Sequence, residues 1–303
     1  MAAIVLNYRT PGLVLDCLET LVGELDPVRD EVVVVDNASG DESVTRIREG
    51  LEARGLRDVT VLEAEANRGF SAGLNLGVRA CRADAYLLLN SDLLILPGAV
   101  RRLWEALQED ASVGIVGPRL QWPDGTPQVS CFRDPTPWSE LIGSSGTGPI
   151  RSLLSRWEVP IGVSDSPMEP EWLSFAAVLI RHGVFQSVGP LDEGFFMYFE
   201  DCDYCRRARR SGWRLRYEPA ARIVHLRGGS SPVKALSAAR KRRPAYYYRS
   251  RGRYFVKTYG RVGWLAANLA WVVGRGIAWL RETLGGKTPH AVEREFLDIW
   301  MRG

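Results

Sequence analysis

Val32-Val33-Val34-Val35-Asp36-Asn37-Ala38-Ser39 is the stretch whose reading decides the fold. Four β-branched residues in succession leave no polar face, so they read as a strand covered on both sides and closed by an acid. The pattern repeats outward in both directions. A compact apolar strand is predicted over 4–8, and Thr10-Pro11 then opens a helix to about residue 22, since proline suits the first helical turn. Downstream the spacing predicts a helix over about 41–53, with Ser39 or Asp41 as its cap, and a strand over 59–62. A helix over 71–80, a strand over 86–89, a helix over 97–107 and a strand over 113–116 follow. Apolar strands alternating with helices make an α/β fold with a mostly parallel central sheet, covered on both faces. Such sheets bind ligands beyond the carboxyl ends of their strands. That rule puts Asn7, Tyr8 and Arg9, Asp36 and Asn37, and Asn90, Ser91 and Asp92 on one rim.

The 303 residues can bury one large core or two modest ones, and 46% hydrophobic with 25% charged residues excludes disordered and fibrous classes. Five cysteines at 17, 81, 131, 202 and 205 form an odd, scattered set. Cys202-x-x-Cys205 lacks a second pair and reads as buried small side chains in a reduced, cytoplasmic protein. The first residues read as a strand and not as a signal peptide, because no basic segment precedes a long apolar one. After Pro118 the texture changes. Residues 119–170 read as loops and short segments; strand returns around 172–180, helix over 199–211, and strands over 213–217 and 222–226. From 233 to 303 the chain is basic, aromatic and mostly helical.

Several positions carry chemistry. Asn67-Arg68-Gly69 opens a run with glycines at 69, 73 and 77, which is not G-x-G-x-x-G but a small-residue stripe for close helix packing. Asn67 and Arg68, just before that helix, can reach a sugar nucleotide. Asp36 is either a turn acid or a contact to a nucleotide base or ribose. Leu87-Leu88-Leu89-Asn90-Ser91-Asp92 puts one carboxylate at a strand mouth, which is a turn or the protein's share of a hard cation site. Glu200, Asp201 and Asp203 start a helix after the aromatic run 195–199. The helix dipole accounts for some of that charge, while apolar walls would tune a general base and stack a sugar face. His225 stands alone and matters only if its strand end meets the rim of Asp92.

In this order and spacing, the segments 32–39, 67–75, 87–92, 189–196, Glu200-Asp201-Cys202-Asp203 and Arg222-Ile223-Val224-His225 resemble family 2 inverting glycosyltransferases of GT-A fold, particularly bacterial rhamnosyltransferase-like members. The resemblance covers roughly residues 3–230; each motif alone is weak, and the ordered set is specific. It implies a catalytic domain over 1–232, with a nucleotide-sugar half over 1–118 and an acceptor half over 119–232, followed by a helical region over 233–303. It implies Asp36 as the acid at the nucleotide base and Asn90-Ser91-Asp92 at the family's D-x-D position. Asparagine replaces the first aspartate there and leaves Asp92 as the main ligand. His225 would complete the metal or diphosphate site, and Asp201 would be the general base with Glu200 beside it. Mg2+ or Mn2+, a dTDP-rhamnose donor, and a glycan, lipid-linked or small-molecule acceptor follow from the same resemblance.

A Rossmann dehydrogenase and a P-loop enzyme fail for want of their glycine motifs. Two rivals stay open: a transferase using a UDP- or GDP-hexose on a small-molecule or protein acceptor, and a non-catalytic sugar- or lipid-binding module. No acid lies between Glu218 and Glu282, and Tyr246, Tyr247, Tyr248, Tyr254 and Phe255 interleave with Arg249, Arg251, Arg253 and Lys257. The stretch 262–280 could cross a bilayer by length, but Asn268, Arg275 and three glycines interrupt it. Trp264, Trp271 and Trp279 fall roughly on one helical face. The expectation is a helix lying on an anionic membrane at the inner face of the cytoplasmic membrane, or equally one packed on the catalytic domain or in a homodimer. Nothing resembles a nucleic-acid module.

Overall fold

The computed structural model describes residues 1–227, 232–285 and 291–302. Residues 286–290 and 303, part of the region expected to be helical, lie outside the described residues. The first half alternates as expected: β1 (Ala2–Asn7), α1 (Pro11–Val22), β2 (Glu31–Asp36), α2 (Ser43–Ala53), β3 (Val59–Glu63), α3 (Phe70–Ala80) and β4 (Ala85–Asn90). The four strands pair in parallel in the order β3-β2-β1-β4. Alternate residues serve opposite faces: Ala3 and Val5 pack with Val14 and Leu18 of α1, while Ile4 and Leu6 pack with Leu74 of α3. The glycine stripe is the packing device its period implies. A Cβ at Gly73 would come within 2.4 Å of Leu6, and one at Gly77 within 2.5 Å of Ile4.

The second half adds β5 (Leu93–Ile95), α4 (Ala99–Gln108), β6 (Val113–Gln121), β7 (Cys131–Phe132), α5 (Pro137–Ser145), α6 (Gly148–Leu153), β8 (Trp172–Leu173) and β9 (Ala177–Arg181). Then come α7 (His182–Val188), α8 (Glu200–Arg210) and β10 (Arg214–His225). The full order is β3-β2-β1-β4-β9-β6-β10-β5, with β9 antiparallel between β4 and β6 and β5 antiparallel along β10. Strands from both sides of residue 118 thus share one sheet.

The structure differs from three expectations. The strands expected over 213–217 and 222–226 are the single β10, whose pairing to β6 slips between Glu218 and Arg222; Pro219 lies in that interval and cannot donate to a ladder. The strand expected over 172–180 is two, with β8 leaving the main sheet to pair with β7. The stretch 119–170 holds loops and short segments as expected, the longest helix among them being α5, started by a capping box between Thr136 and Ser139. The caps proposed for α2 do not sit at its start. Asp41 accepts from the Ser43 amide at 2.9 Å, while Ser39 turns toward Asp36.

The C-terminal region holds α9 (Val233–Ala238), α10 (Ala245–Leu284) and α11 (Glu295–Asp298). α10 is two helices joined at a kink, where Gly260 takes φ 71°. It packs along α5 so closely that a Cβ at Gly274 would lie 2.1 Å from Ser144 Oγ. The aromatic and basic mixture expected to face a membrane is in part turned inward. Tyr248, Tyr254, Phe255 and Arg251 are buried, as are Trp264 and Trp271, whereas Trp279 is exposed. Arg251 bonds Glu140 of α5 at 2.9 Å and Asn268 at 2.7 Å, while Arg253 and Lys257 each reach Asp192 at 2.8 Å. No helix among the described residues is long and apolar enough to cross a membrane.

Candidate active site

The carboxyl ends of β1, β2 and β4 meet in a chain of hydrogen bonds. Asn7 Nδ2 donates to Asp36 Oδ1 at 2.6 Å, and Asn7 Oδ1 accepts from the Thr10 hydroxyl at 3.1 Å. That hydroxyl lies 2.8 Å from Ser91 Oγ. Thr10 sits at the N-cap of α1, as the sequence implies, but its side chain makes no capping bond and ties α1 to the end of β4. Asp36 is buried and also accepts from the Ser39 amide at 2.9 Å and the Ser39 hydroxyl at 2.6 Å. Three of the carboxylate's roughly four acceptor sites are filled from within. Asn7, Asp36 and Ser91 therefore brace the rim on which Tyr8 and Arg9 are set. Arg9 takes φ 58°, lies over the Tyr8 ring at 5.1 Å, and donates through Nε to Ser39 O at 2.9 Å.

Asn67 accepts from the Gly69 amide at 3.0 Å and from Asn37 Nδ2 at 3.2 Å, which fixes the turn into α3. Gly69 is required there: its φ is 100°, and a Cβ would lie 2.2 Å from Phe196 O. The Phe70 amide donates to Phe196 O at 2.6 Å, and Asn75 exchanges hydrogen bonds with Leu191. Arg68 is exposed and lies 3.5 Å from Glu193. The loop before α8 is thereby tied to α3.

Asp92 and His225 are both buried, with Asp92 Oδ1 3.5 Å from His225 Nε2. β5 and β10 create the contact, because Leu93 pairs with His225. The His225 ring thus meets the rim of Asp92. Its Nδ1 is buried with no hydrogen-bond partner among the described residues. No group of three or more metal-ligating side chains occurs among the described residues. A carboxylate and an imidazole aimed at one space nevertheless fit a divalent cation that takes its other ligands from a diphosphate and water. Around this pair stand residues that the sequence reading missed. Gln128 Nε2 donates to His225 O at 2.7 Å, and Gln128 accepts from Arg227 Nε. Arg227, only two residues past His225, takes φ 59° and lies over Trp122 at 5.3 Å.

Glu200, Asp201 and Asp203 occupy the first turn of α8. The two residues before them, Tyr198 and Phe199, both take left-handed backbone conformations, with φ 71° and 68°. Two successive non-glycine residues of that kind are strained by about 1–3 kcal/mol each and persist only where surroundings impose them. The three acids have different surroundings. Asp203 pairs with Arg207 at 2.9 Å and Lys257 at 2.8 Å. Glu200 is buried, its Oε2 without a partner among the described residues, and desolvation, aided by the Asp201 charge, pushes its carboxyl well above the usual range. Asp201 opens onto a cavity of about 430 Å³. Desolvation pushes its carboxyl up to about 6, and hydrogen bonds from the Cys202 and Phe175 backbone restrain the rise. Trp172, Tyr198, Phe199 and Tyr247 line that cavity with Glu140 of α5. Tyr247 comes from α10, and nothing in its local pattern marks it as part of a site. Cys202 and Cys205 pack in separate apolar clusters, and burial pushes both thiols up.

Residues 2–146 match the family described as Glycosyl transferase family 2. The chain is 28% identical over 246 residues, 75% of each chain, to the N-acetylglucosaminyl-diphospho-decaprenol L-rhamnosyltransferase of Mycobacterium tuberculosis. It is 40% identical over 72 residues to the rhamnosyltransferase WbbL of Escherichia coli, covering 24% of this chain and 27% of that one. Among solved structures, the mannosyltransferase PcManGT from Pyrobaculum calidifontis, in complex with GDP-Man and Mn2+, superposes with a TM-score of 0.60 at 17% identity, over 95% of this chain and 76% of that one. S. aureus TarS 1-349 does so with 0.56 at 14% identity, over 97% and 76%. These two likenesses show the fold, a GT-A type α/β architecture, as the ordered motifs implied.

Proposed function

We propose that this chain, which carries a Glycosyl transferase family 2 domain over residues 2–146, moves a sugar from a nucleotide diphosphate donor to an acceptor hydroxyl by single displacement with inversion. The observation that carries the reading is Asp201, an acid poised at about 6 that opens onto an aromatic cavity at the start of α8. Asp201 takes the proton of the acceptor hydroxyl, whose oxygen bonds to the anomeric carbon as the bond to the diphosphate breaks on the opposite face. Burial pushes the Glu200 carboxyl well above the usual range, which favours its neutral form and disfavours a second negative charge beside that step. The sugar face stacks on Tyr198, Phe199 and Tyr247. Asp92 and His225 would hold Mg2+ or Mn2+, whose charge would neutralise the leaving diphosphate. Tyr8, Arg9, Asn67 and Arg68 face the donor, with Asn7, Asp36, Asn90 and Ser91 shaping the rim behind them.

The donor we favour is dTDP-rhamnose, because the relatives over 75% and 24% of the chain are both named rhamnosyltransferases. A lipid-linked acceptor is favoured because the mycobacterial relative is named for a diphospho-decaprenol substrate. This reading places the enzyme peripherally on the cytoplasmic membrane. The experiment is a panel of dTDP-, UDP- and GDP-sugars assayed for transfer and for hydrolysis without acceptor. Turnover of dTDP-rhamnose above the others is expected. A UDP- or GDP-hexose turned over in its place would move the donor assignment, and binding without turnover of any donor would leave a sugar-binding module.

A further inference from the structure

Beyond Gly260, α10 presents two unlike faces. Trp264, Ala267, Trp271 and Ala278 are buried against the protein. On the other side Val262, Leu265, Leu269, Val273, Leu280 and Leu284 are exposed, Val262 by 80% and Leu284 by 86%. At 100° per residue these six fall within an arc of about 100°, and at 1.5 Å per residue they run for about 33 Å. No charged side chain interrupts the row. This is the face opposite the one that the tryptophan spacing pointed to.

We propose that this outward face of α10 lies in an anionic lipid surface, with Arg261 at its start and Arg240, Lys241 and Arg249 beside the headgroups. The inference rests on the membrane-peripheral reading above and names the surface that does the binding. Charge decides between a membrane and a second copy. Arg240, Lys241, Arg249 and Arg261 are exposed and have no ion pair among the described residues, unlike the neighbouring Arg251, Arg253 and Lys257. The only acid in α10, Glu282, is buried and lies 3.3 Å from Arg275. A symmetric partner would meet this same patch, which offers its cations no acid. An anionic bilayer supplies both the charge and the apolar depth. The helix also packs on α5, whose Glu140, Ile142 and Gly143 line the cavity of Asp201, so docking would hold that cavity beside the lipid.

The test is flotation of the full chain with vesicles of phosphatidylcholine alone, and with about a quarter phosphatidylglycerol, at low and high salt. Wild type should float with the anionic vesicles at low salt only. The double variant Leu269→Glu, Val273→Glu changes two exposed side chains, so its melting should match wild type while vesicle binding falls by about tenfold or more. Its donor hydrolysis in vesicle-free solution should be unchanged, which separates surface binding from chemistry. Wild type that ignores anionic vesicles, or a double variant that floats equally well, overturns the proposal. So does light scattering that shows a wild-type dimer converted to monomer by the double variant, because the face is then a subunit interface.

Discussion

The carboxylate of Asp92 lies 3.5 Å from Nε2 of His225, and the two meet only because the three-residue strand β5 turns back antiparallel along β10. A strand that short carries almost no signal of its own. Its role is geometric: it carries the chain from Asp92, just past the end of β4, along the strand that ends in His225. The pair brings a hard oxygen donor and an imidazole into one space at the mouth of the sheet.

Removal of either donor should weaken metal-dependent donor binding. Asp92→Ala and His225→Ala are each expected to raise the apparent metal requirement by about 10–100-fold, read by titrating Mg2+ or Mn2+ into the transfer assay. Chelation of wild type should abolish turnover, and either ion should restore it. Full activity in excess chelator would make His225 a direct diphosphate contact instead.

Asp201→Asn should keep the fold and donor binding while lowering turnover by about 10²–10⁴-fold. Glu200→Gln should be milder. A carboxyl raised to about 6 acts as a base only when ionised, so kcat/KM of wild type should fall with decreasing pH through about 6. Because the folded value lies above the unfolded one, the stability linked to this group is full at low pH and is lost as pH rises through about 6. Asp201→Asn should therefore melt no lower than wild type at neutral pH.

Tyr247→Ala should raise the KM for acceptor more than it lowers kcat, since the ring lines the cavity and packs against Tyr198 and Phe199. Donor hydrolysis without acceptor should be preserved. An unchanged acceptor KM would remove α10 from the acceptor wall.

Gly69→Ala should cost about 2 kcal/mol or more, because a Cβ there meets Phe196 O at 2.2 Å and the φ of 100° is strained for any side chain. Urea denaturation checks the stability. Transfer should fall along with it, since the displaced Phe196 leads directly into Tyr198, Phe199 and Asp201.

Arg251→Leu should destabilise by about 3–5 kcal/mol, because Glu140 would be left without its partner between α5 and α10. Limited proteolysis should then release the C-terminal region before the sheet domain. Equal resistance to protease would show that the aromatic packing around Tyr248 and Tyr254 holds the region alone.

The parallel half of the sheet was legible because burial on both faces dictates composition. Val32 to Val35, Leu87 to Leu89 and the glycine stripe at 73 and 77 carry their environment in their residue types. The rim followed from the polarity change at each strand end, and the order of motifs carried the resemblance to family 2 glycosyltransferases. The sequence could not show that Asn7 bonds Asp36, or that the Thr10 hydroxyl joins Asn7 to Ser91, since such bonds join residues from separate elements. Nor could it divide three neighbouring acids. Only packing turns Asp203 to Lys257, seals Glu200 and opens Asp201 to the cavity. In α10 apolar residues lie on both sides of the helix, so periodicity alone does not choose the face that packs. That choice went to Trp264 and Trp271, whose broad rings bury more surface against α8, α11 and the chain end, and it left the leucines and valines outward.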